Sequence, residues 1–333
     1  MDLLNALVTF LNFVFIPASA YGAQLALGAL GVTLIYGILR FSNFAHGDTM
    51  AFGTAMVILL TWGLQALGIT LGPLPTALLA LPPAIALTAA LALLTDRWVY
   101  RHYRRIKAAP IVVVMASVGV MFVMNGLTRI VIGVGEINFA DGARFVVTVP
   151  QFKAMTGLSE GLSLRTTQAI TLVIAALSVW ALFVFLNRTR AGKAMRAYAD
   201  NEDLALLSGI DPDRVVRLTW IIAIALAVMA GTLYGLDKTF KAFNYFQILL
   251  PIFAAAIVGG LGNPVGAIAG GFLIAFSEVA LTYPWKKVAE YLGFEPSGLL
   301  QMLGTEYKLA ISFVILIVVL LVRPTGLFRG KAY

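Results

Sequence analysis

Apolar stretches long enough to cross a lipid bilayer recur along almost the whole chain, separated by short polar gaps. A spanning helix needs about 20 apolar residues, because the hydrocarbon layer offers no water to satisfy a backbone left outside a helix. Segments 20–39, 48–67, 74–95, 109–132, 167–186, 216–236 and 308–322 meet that requirement. The stretch 246–283 exceeds one span and is interrupted by Gly259-Gly260-Leu261-Gly262-Asn263-Pro264. This predicts two helices, 246–259 and 264–283, the first of them short for a full crossing. Residues 3–16 form a further apolar run that Pro17 is expected to stop, leaving them either as a span or in the interface. The fold class is therefore all-α: a polytopic membrane helix bundle of about 8–10 transmembrane segments, with a helix break near 259–264. Composition agrees, since 60% of the 333 residues are hydrophobic and only 12% charged. Soluble domains carry about 25% charged residues. Ala18-Ser19-Ala20 has the form of a signal-peptide cleavage site, but Met1-Asp2-Leu3-Leu4 lacks the basic region that such peptides carry.

The net charge of +8 is sorted along the chain. Arg40, the gap 96–107, the gap 187–217 and the tail Arg323, Arg329 and Lys331 together hold 15 basic residues. The intervening gaps 133–166, 237–247 and 284–308 hold eight. Lys and Arg accumulate on the cytoplasmic side of membrane proteins. Sides alternate consistently only if 246–283 crosses twice, so the charge count supports the helix break. It puts the C-terminus in the cytoplasm and leaves the N-terminus open. The positive charge is a topology signal, and no nucleic acid is expected as a partner; the apolar surface meets membrane lipid.

Several chemistries are excluded. The chain has no Cys, and His46 and His102 form no metal-ligand spacing. No His/Asp/Glu cluster supports a membrane enzyme. The longest polar gaps, about thirty residues, are too short for an ATPase domain. No G-x-x-x-x-G-K-[ST] nucleotide loop occurs; Gly259, Gly260 and Gly262 lack the following Lys-Ser/Thr. Energy for active transport must come from another chain or an ion gradient.

Four segments carry further information. Ala194 to Leu207 is rich in helix formers, with Ala197, Leu204 and Leu207 among charges, and Gly209 can end that helix in the left-handed conformation. A short helix of this kind on the cytoplasmic face suits docking on a partner, against the plainer reading of a solvated loop. In Asn43-Phe44-Ala45-His46-Gly47-Asp48, Gly47 permits a turn and Asp48 can cap the next helix. His46 is read as a neutral hydrogen-bonding residue that orders the turn, with proton carriage as the alternative. The small residues from Ala254 to Gly271, Asn263 among them, predict close helix packing, or else the lining of a pathway. Glu278 and Arg129 are the ionisable residues placed inside spans, each near a helix end where snorkelling is available.

The run Gly31-Val32-Thr33-Leu34-Ile35-Tyr36-Gly37-Ile38-Leu39-Arg40-Phe41-Ser42-Asn43-Phe44-Ala45-His46-Gly47 resembles a signature of bacterial branched-chain amino acid ABC permeases. Arg190-Ala191-Gly192, Arg196-Ala197, Ala205, Gly209-Ile210, Ala230-Gly231, Gly259-Gly260-Leu261-Gly262, Gly266 and Arg323-Pro324-Thr325-Gly326-Leu327-Phe328 follow in the family's order. The intact Asn-Phe-Ala-His-Gly stretch looks most like the LivH-type subunit. The resemblance implies a single transmembrane permease domain over 1–333, with 188–215 as its cytoplasmic coupling segment. Within that segment it assigns Arg190, Ala191, Gly192, Arg196, Ala197, Asn201, Ala205, Gly209 and Ile210 to docking on the ATPase. Pathway or structural candidates are Asn43, His46, Gly47, Gly259, Gly260, Gly262, Asn263 and Glu278. The implied partners are a LivM-type second permease, two ATP-binding subunits that hold ATP and Mg, and a periplasmic binding protein that delivers leucine, isoleucine or valine. The chain itself would hold no cofactor and reside in the bacterial inner membrane. Related permeases carry urea, short amides or other amino acids. A self-contained secondary transporter, with the break at Gly259–Pro264 as its site, is the competing class.

Overall fold

The computed structural model describes residues 2–328 apart from 295–297 and 299. Among the described residues, nine helical stretches are long and apolar enough to cross a membrane. The first joins α1 (Asp2–Phe10) to α2 (Ile16–Leu39) through a π turn at Leu11–Phe15. The second is α3 (His46–Ala66). The third joins α4 (Ala77–Thr95) to α5 (Arg101–Arg105) through a π turn at Asp96–Tyr100. Then come α6 (Pro110–Ile132), the short α7 (Val149–Thr156) and α8 (Thr166–Arg188). Two short helices, α9 (Arg190–Asp200) and α10 (Glu202–Leu207), precede α11 (Pro212–Asp237). The chain finishes with α12 (Ala242–Gly259), α13 (Pro264–Thr282), α14 (Lys286–Tyr291) and α15 (Lys308–Val322). The strands β1 (Phe145–Val147) and β2 (Leu164–Arg165) pair antiparallel beside α7, with Phe145 opposite Arg165.

The core forms around α2, which packs on α8, α11, α12 and α13. Small residues make this possible. A Cβ on Gly271 would meet the Ala26 backbone at 2.7 Å, and one on Gly28 would meet Ile252. Without a hydrophobic drive between helices in lipid, such backbone approach supplies the dispersion contacts that hold a bundle together. Buried threonines turn their hydroxyls onto the carbonyl four residues back, as in Thr54 to Met50, Thr88 to Ala84 and Thr219 to Val215. The outward faces of α6, α8 and α15 remain apolar and exposed, with Phe122, Trp180 and Leu321 among them.

Three expectations are corrected. Pro17 does not stop the first helix. The π turn just ahead of it widens the coil by a residue, which accommodates a ring that lacks an N–H, and the helix continues. Residues 3–16 are thus no separate crossing but an extension of α2. The joined helix has 38 residues, about 57 Å at 1.5 Å per residue, against a hydrocarbon layer of about 30 Å. α1 packs on α14, and Asn5 Oδ1 and Asn12 Oδ1 accept from the amides of Glu160 and Ser163. Nor is α12 short for a crossing. It begins at Ala242, ahead of the expected 246, and Tyr245 is buried with its hydroxyl donating to the Gly231 carbonyl at 2.9 Å. The helix break at 259–264 is therefore a hairpin turn between two crossings.

The two ends of the bundle differ. One gathers Arg40, α5, α9, α10, the α12–α13 turn and residues 323–328; Arg329 and Lys331 lie outside the described residues. The other end gathers α1, α7, the strands, α14 and the α11–α12 turn.

Candidate functional site

At the Arg-rich end, α9 and α10 form a short two-helix elbow under α8. Thr189 caps α9 by accepting from the Gly192 amide at 2.9 Å. Gly192 is pressed against the end of α8, where a Cβ would meet the Leu186 Cα at 2.6 Å. The helix expected over Ala194–Leu207 is divided. Asn201 is extended and caps α10 by accepting from the Leu204 amide at 3.0 Å. Gly209 takes the left-handed conformation at φ +80°, as its sequence position predicts, and the Ile210 amide returns to the Ala205 carbonyl. Ala205 is buried, Ala191 and Ile210 are half-buried, and Arg190, Ala197 and Asn201 are exposed or partly so. Arg196 folds back to donate to Asn187 Oδ1 at 3.0 Å. Leu204 and Leu207 project from the elbow, Leu207 with 84% of its surface exposed. Two apolar tips next to charge give the elbow a face that can dock.

The elbow is tied to the core by a residue that motif reading assigned no task. The Arg40 guanidinium donates to the Ala199 carbonyl in the last turn of α9. Arg40 itself ends α2 in the left-handed conformation, φ 58°. A basic residue directly after a helix, with no Gly to close it, was the available signal. Thr189 carried one too: a Thr just before a helix is a start signal. Nearby, Asp96 accepts both Arg104 Nη atoms, at 2.5 and 2.9 Å, and Trp220 Nε1 at 2.8 Å. Tyr100 stacks on Trp220 with centroids 5.3 Å apart.

Asn43, His46 and Gly47 come together deep in the bundle. Asn43 Oδ1 accepts from the Ala45 amide and the Tyr100 hydroxyl, both at 3.2 Å. His46 is wholly buried against α2, where a Cβ on Gly31 would meet its Cε1 at 2.7 Å, and neither ring nitrogen has a hydrogen-bond partner among the described residues. The hydrogen bond expected of it is not seen among the described residues; close packing on α2 holds the ring in place instead. Asp48 does not cap α3, as the sequence suggested. It lies inside the helix and accepts from Asn125 Nδ2 on α6 at 2.7 Å, while Asn43 takes the free amide.

Gly259, Gly260, Gly262 and Asn263 build the α12–α13 turn. Gly260 and Gly262 need φ of +108° and +85°. Asn263 caps α13 through the Val265 and Gly266 amides at 3.0 and 3.2 Å. The segment Arg323–Phe328 folds over this turn. The Leu327 and Phe328 amides donate to the Val258 and Gly259 carbonyls at 2.8 and 3.1 Å, which would otherwise be unsatisfied at the end of α12. With the helix ends so capped, the backbone groups of Val258, Gly259, Val265 and Gly266 are satisfied within the protein and are not free to hold an ion. Glu278 is far from this turn. It does not snorkel: it is buried between α2 and α15, and Ser312 donates to its carboxylate. Arg129 is exposed in the last turn of α6.

The branched-chain amino acid transport system permease component model matches residues 16–320. The chain belongs to that permease family. It is 32% identical over 312 residues to the high-affinity branched-chain amino acid transport system permease protein LivH of Escherichia coli strain K12, covering 92% of this chain and 91% of LivH. It is 28% identical over 312 residues to BraD of Pseudomonas aeruginosa, covering 92% of each chain. It also shares 29% identity over 150 residues with LivM of E. coli K12, covering 41% of this chain and 35% of LivM. The protein is thus a multi-pass permease subunit of an ABC-type transport system in the bacterial inner membrane.

Proposed function

We propose that this permease carries branched-chain or closely similar hydrophobic amino acids inward, driven in trans by ATP hydrolysis on two separate subunits. The observation that carries the reading is the α9–α10 elbow, fixed by caps at Thr189 and Asn201 and presenting Leu204 and Leu207 at the Arg-rich end. The excess of basic residues supports a cytoplasmic position for that end and for the C-terminus. The N-terminal α1 then stands on the periplasmic side with α14. ATP and Mg bind to the partner subunits. The partial similarity to LivM supports a second permease of related fold beside this one. A periplasmic binding protein supplies the cargo.

In this mechanism the ATPase subunits grip the elbow differently in their two states, because a partner indifferent to state shifts nothing. Gly192 seats α9 on α8, Arg196 braces it against Asn187, and Arg40 passes the displacement to α2. Asn43, His46 and Gly47 keep α3 seated at mid-bundle while the helices tilt, and Gly259–Asn263 keep α12 and α13 moving as one hairpin.

The test uses proteoliposomes holding the permease with its ATPase subunits and second permease. Radiolabelled leucine, isoleucine, valine and urea are supplied with the cognate binding protein. ATP-dependent uptake of the three amino acids, with urea excluded, is the expected result. Uptake by this chain alone under an ion gradient overturns the reading.

A further inference from the structure

A cavity of about 320 Å³ opens at the end of the bundle opposite the elbow, between the ends of α2, α8, α11, α13 and α15. Its volume lies at the lower end of the range of about 300–1,000 Å³ usual for small-molecule sites. Its walls combine three features. Asp237 ends α11 with a side chain only 8% exposed, and its Oδ1 has no hydrogen-bond partner among the described residues. The cations beside it stop short: Arg165 Nη1 lies 4.0 Å from Oδ1 and Lys238 Nζ 3.6 Å from Oδ2. Lys238 and Lys308 both line the cavity, with the Lys238 ammonium beside Asp237. Tyr21, Tyr234 and Phe13 supply aromatic surface.

A buried carboxylate with an unused acceptor costs free energy unless a donor reaches it. A partner carrying an ammonium would satisfy it. The same partner must tolerate two lysine ammonium groups, which a carboxylate does. Both demands fall on one small ligand whose remaining surface is apolar. We propose that this cavity is a vestibule for the zwitterionic headgroup of an α-amino acid, with the ammonium on Asp237, the carboxylate toward Lys238 and Lys308, and the side chain on the aromatic wall. The proposal rests on the amino acid reading above and deepens it. It makes the permease itself a selective element: the cavity rejects urea and amides, which lack both charges, and fatty acids, which lack one.

The absence of Cys from this chain allows a direct test. Thr282 lines the cavity and is nearly buried, so Thr282→Cys is a small change. The complete complex is placed in phosphatidylglycerol nanodiscs, which contain no zwitterionic headgroup. Labelling of the introduced thiol by an anionic methanethiosulfonate is followed by the mass of this chain. L-leucine is expected to slow labelling at least fivefold, whereas 4-methylpentanoate and isoamylamine at the same concentration do not. Asp237→Asn in the same background weakens protection by leucine at least tenfold. Gln168→Cys, on α8, gives a second reporter if Thr282→Cys fails to assemble. Equal protection by leucine and the two singly charged analogues overturns the vestibule, as does absence of labelling at both positions. Uptake by the unmodified complex separates the two failures. If it imports leucine while leucine protects neither thiol, the vestibule alone is wrong. If it imports only an uncharged cargo, the amino acid reading falls with it.

Discussion

Arg40→Met isolates the tie between the elbow and the core. The guanidinium donates to a carbonyl in the last turn of α9, where helix carbonyls lack intrahelical partners and a cation is favourable. A charged hydrogen bond contributes about 1.5–3 kcal/mol when well shielded, and a neutral one about 0.5–1.5. Arg40 is exposed over part of its length, so the lower range applies, about 1 kcal/mol. At about 1.4 kcal/mol per factor of ten, losing it shifts the balance between attached and detached elbow about fivefold. Fewer ATPase strokes then reach α2. The assay is the ratio of leucine imported to ATP hydrolysed in proteoliposomes of the full complex. Arg40→Met is expected to lower that ratio, by at most about fivefold, without reducing co-purification of the ATPase subunits. Arg40→Lys, which keeps the charge but loses the fork of donors, should fall in between. A ratio unchanged in Arg40→Met, with the complex intact, would refute the argument that this bond transmits the stroke.

Three further outcomes follow from other parts of the molecule. Gly270→Ala puts a Cβ into the Ala255 carbonyl where α12 and α13 touch backbone to backbone; overpacking of this kind costs about 1–3 kcal/mol, read as a lower thermal midpoint in detergent. Leu207→Asp changes an exposed tip, so stability should stay within about 0.5 kcal/mol of the parent while ATPase co-purification drops; retention of the ATPase at parental levels counts against docking there. Partial burial raises the pKa of Glu160, but hydrogen bonds from Lys287 and Tyr291 and the Lys287 charge outweigh it and hold the carboxyl below its usual value. That contribution is fully present above the ordinary carboxyl pKa of 4.5 and is lost as pH falls through the lower folded value. Amide exchange in α14 should therefore accelerate on acidification, and Glu160→Gln should abolish the pH dependence.

The spans could be read because each is a long apolar run with polar ends, and because the charge count demanded two crossings over 246–283. The hairpin turn was readable as well, since Gly260, Gly262 and Asn263 have residue-specific backbone and capping roles. What escaped is tertiary. Asp48 beside a helix start looks like a cap, and only folding brings Asn125, 77 residues away in sequence, to its carboxylate. Pro17 reads as a stop because periodicity carries no sign of the π turn that accommodates it. The aromatic and polar start Phe243-Asn244-Tyr245 lowers local hydropathy and hid the first turn of α12, although Tyr245 is among the most buried side chains. Glu278 does lie near the end of α13, but snorkelling fails because folding buries it and brings Ser312 of α15 to its carboxylate.

These positions converge on α2. Its outer end carries Tyr21, on the wall of the proposed vestibule, and its inner end is closed by Arg40. Between them Gly22, Gly28 and Gly31 bring α13, α12 and the His46 ring against its backbone. A helix gripped this closely on several sides bends little, because each bend would open voids along a packed interface. Its 24 residues make a rod of about 36 Å. A displacement at the elbow must then reach the vestibule as a tilt of the whole rod, and about 5° of tilt over that length moves the far end by about 3 Å. The π turn at Leu11–Phe15 marks where the rod ends. Beyond it α1 is tied to Glu160 through Asn5 and packs on α14, while Asn12 in the π turn holds Ser163, so α1 can stay in place while α2 moves. Replacing Pro17, Leu11, Val14 and Phe15 with alanine, so that the helix runs straight while Asn12 and Phe13 are kept, should therefore couple α1 to the stroke and slow uptake, while Tyr21 and Arg40 keep their own contacts.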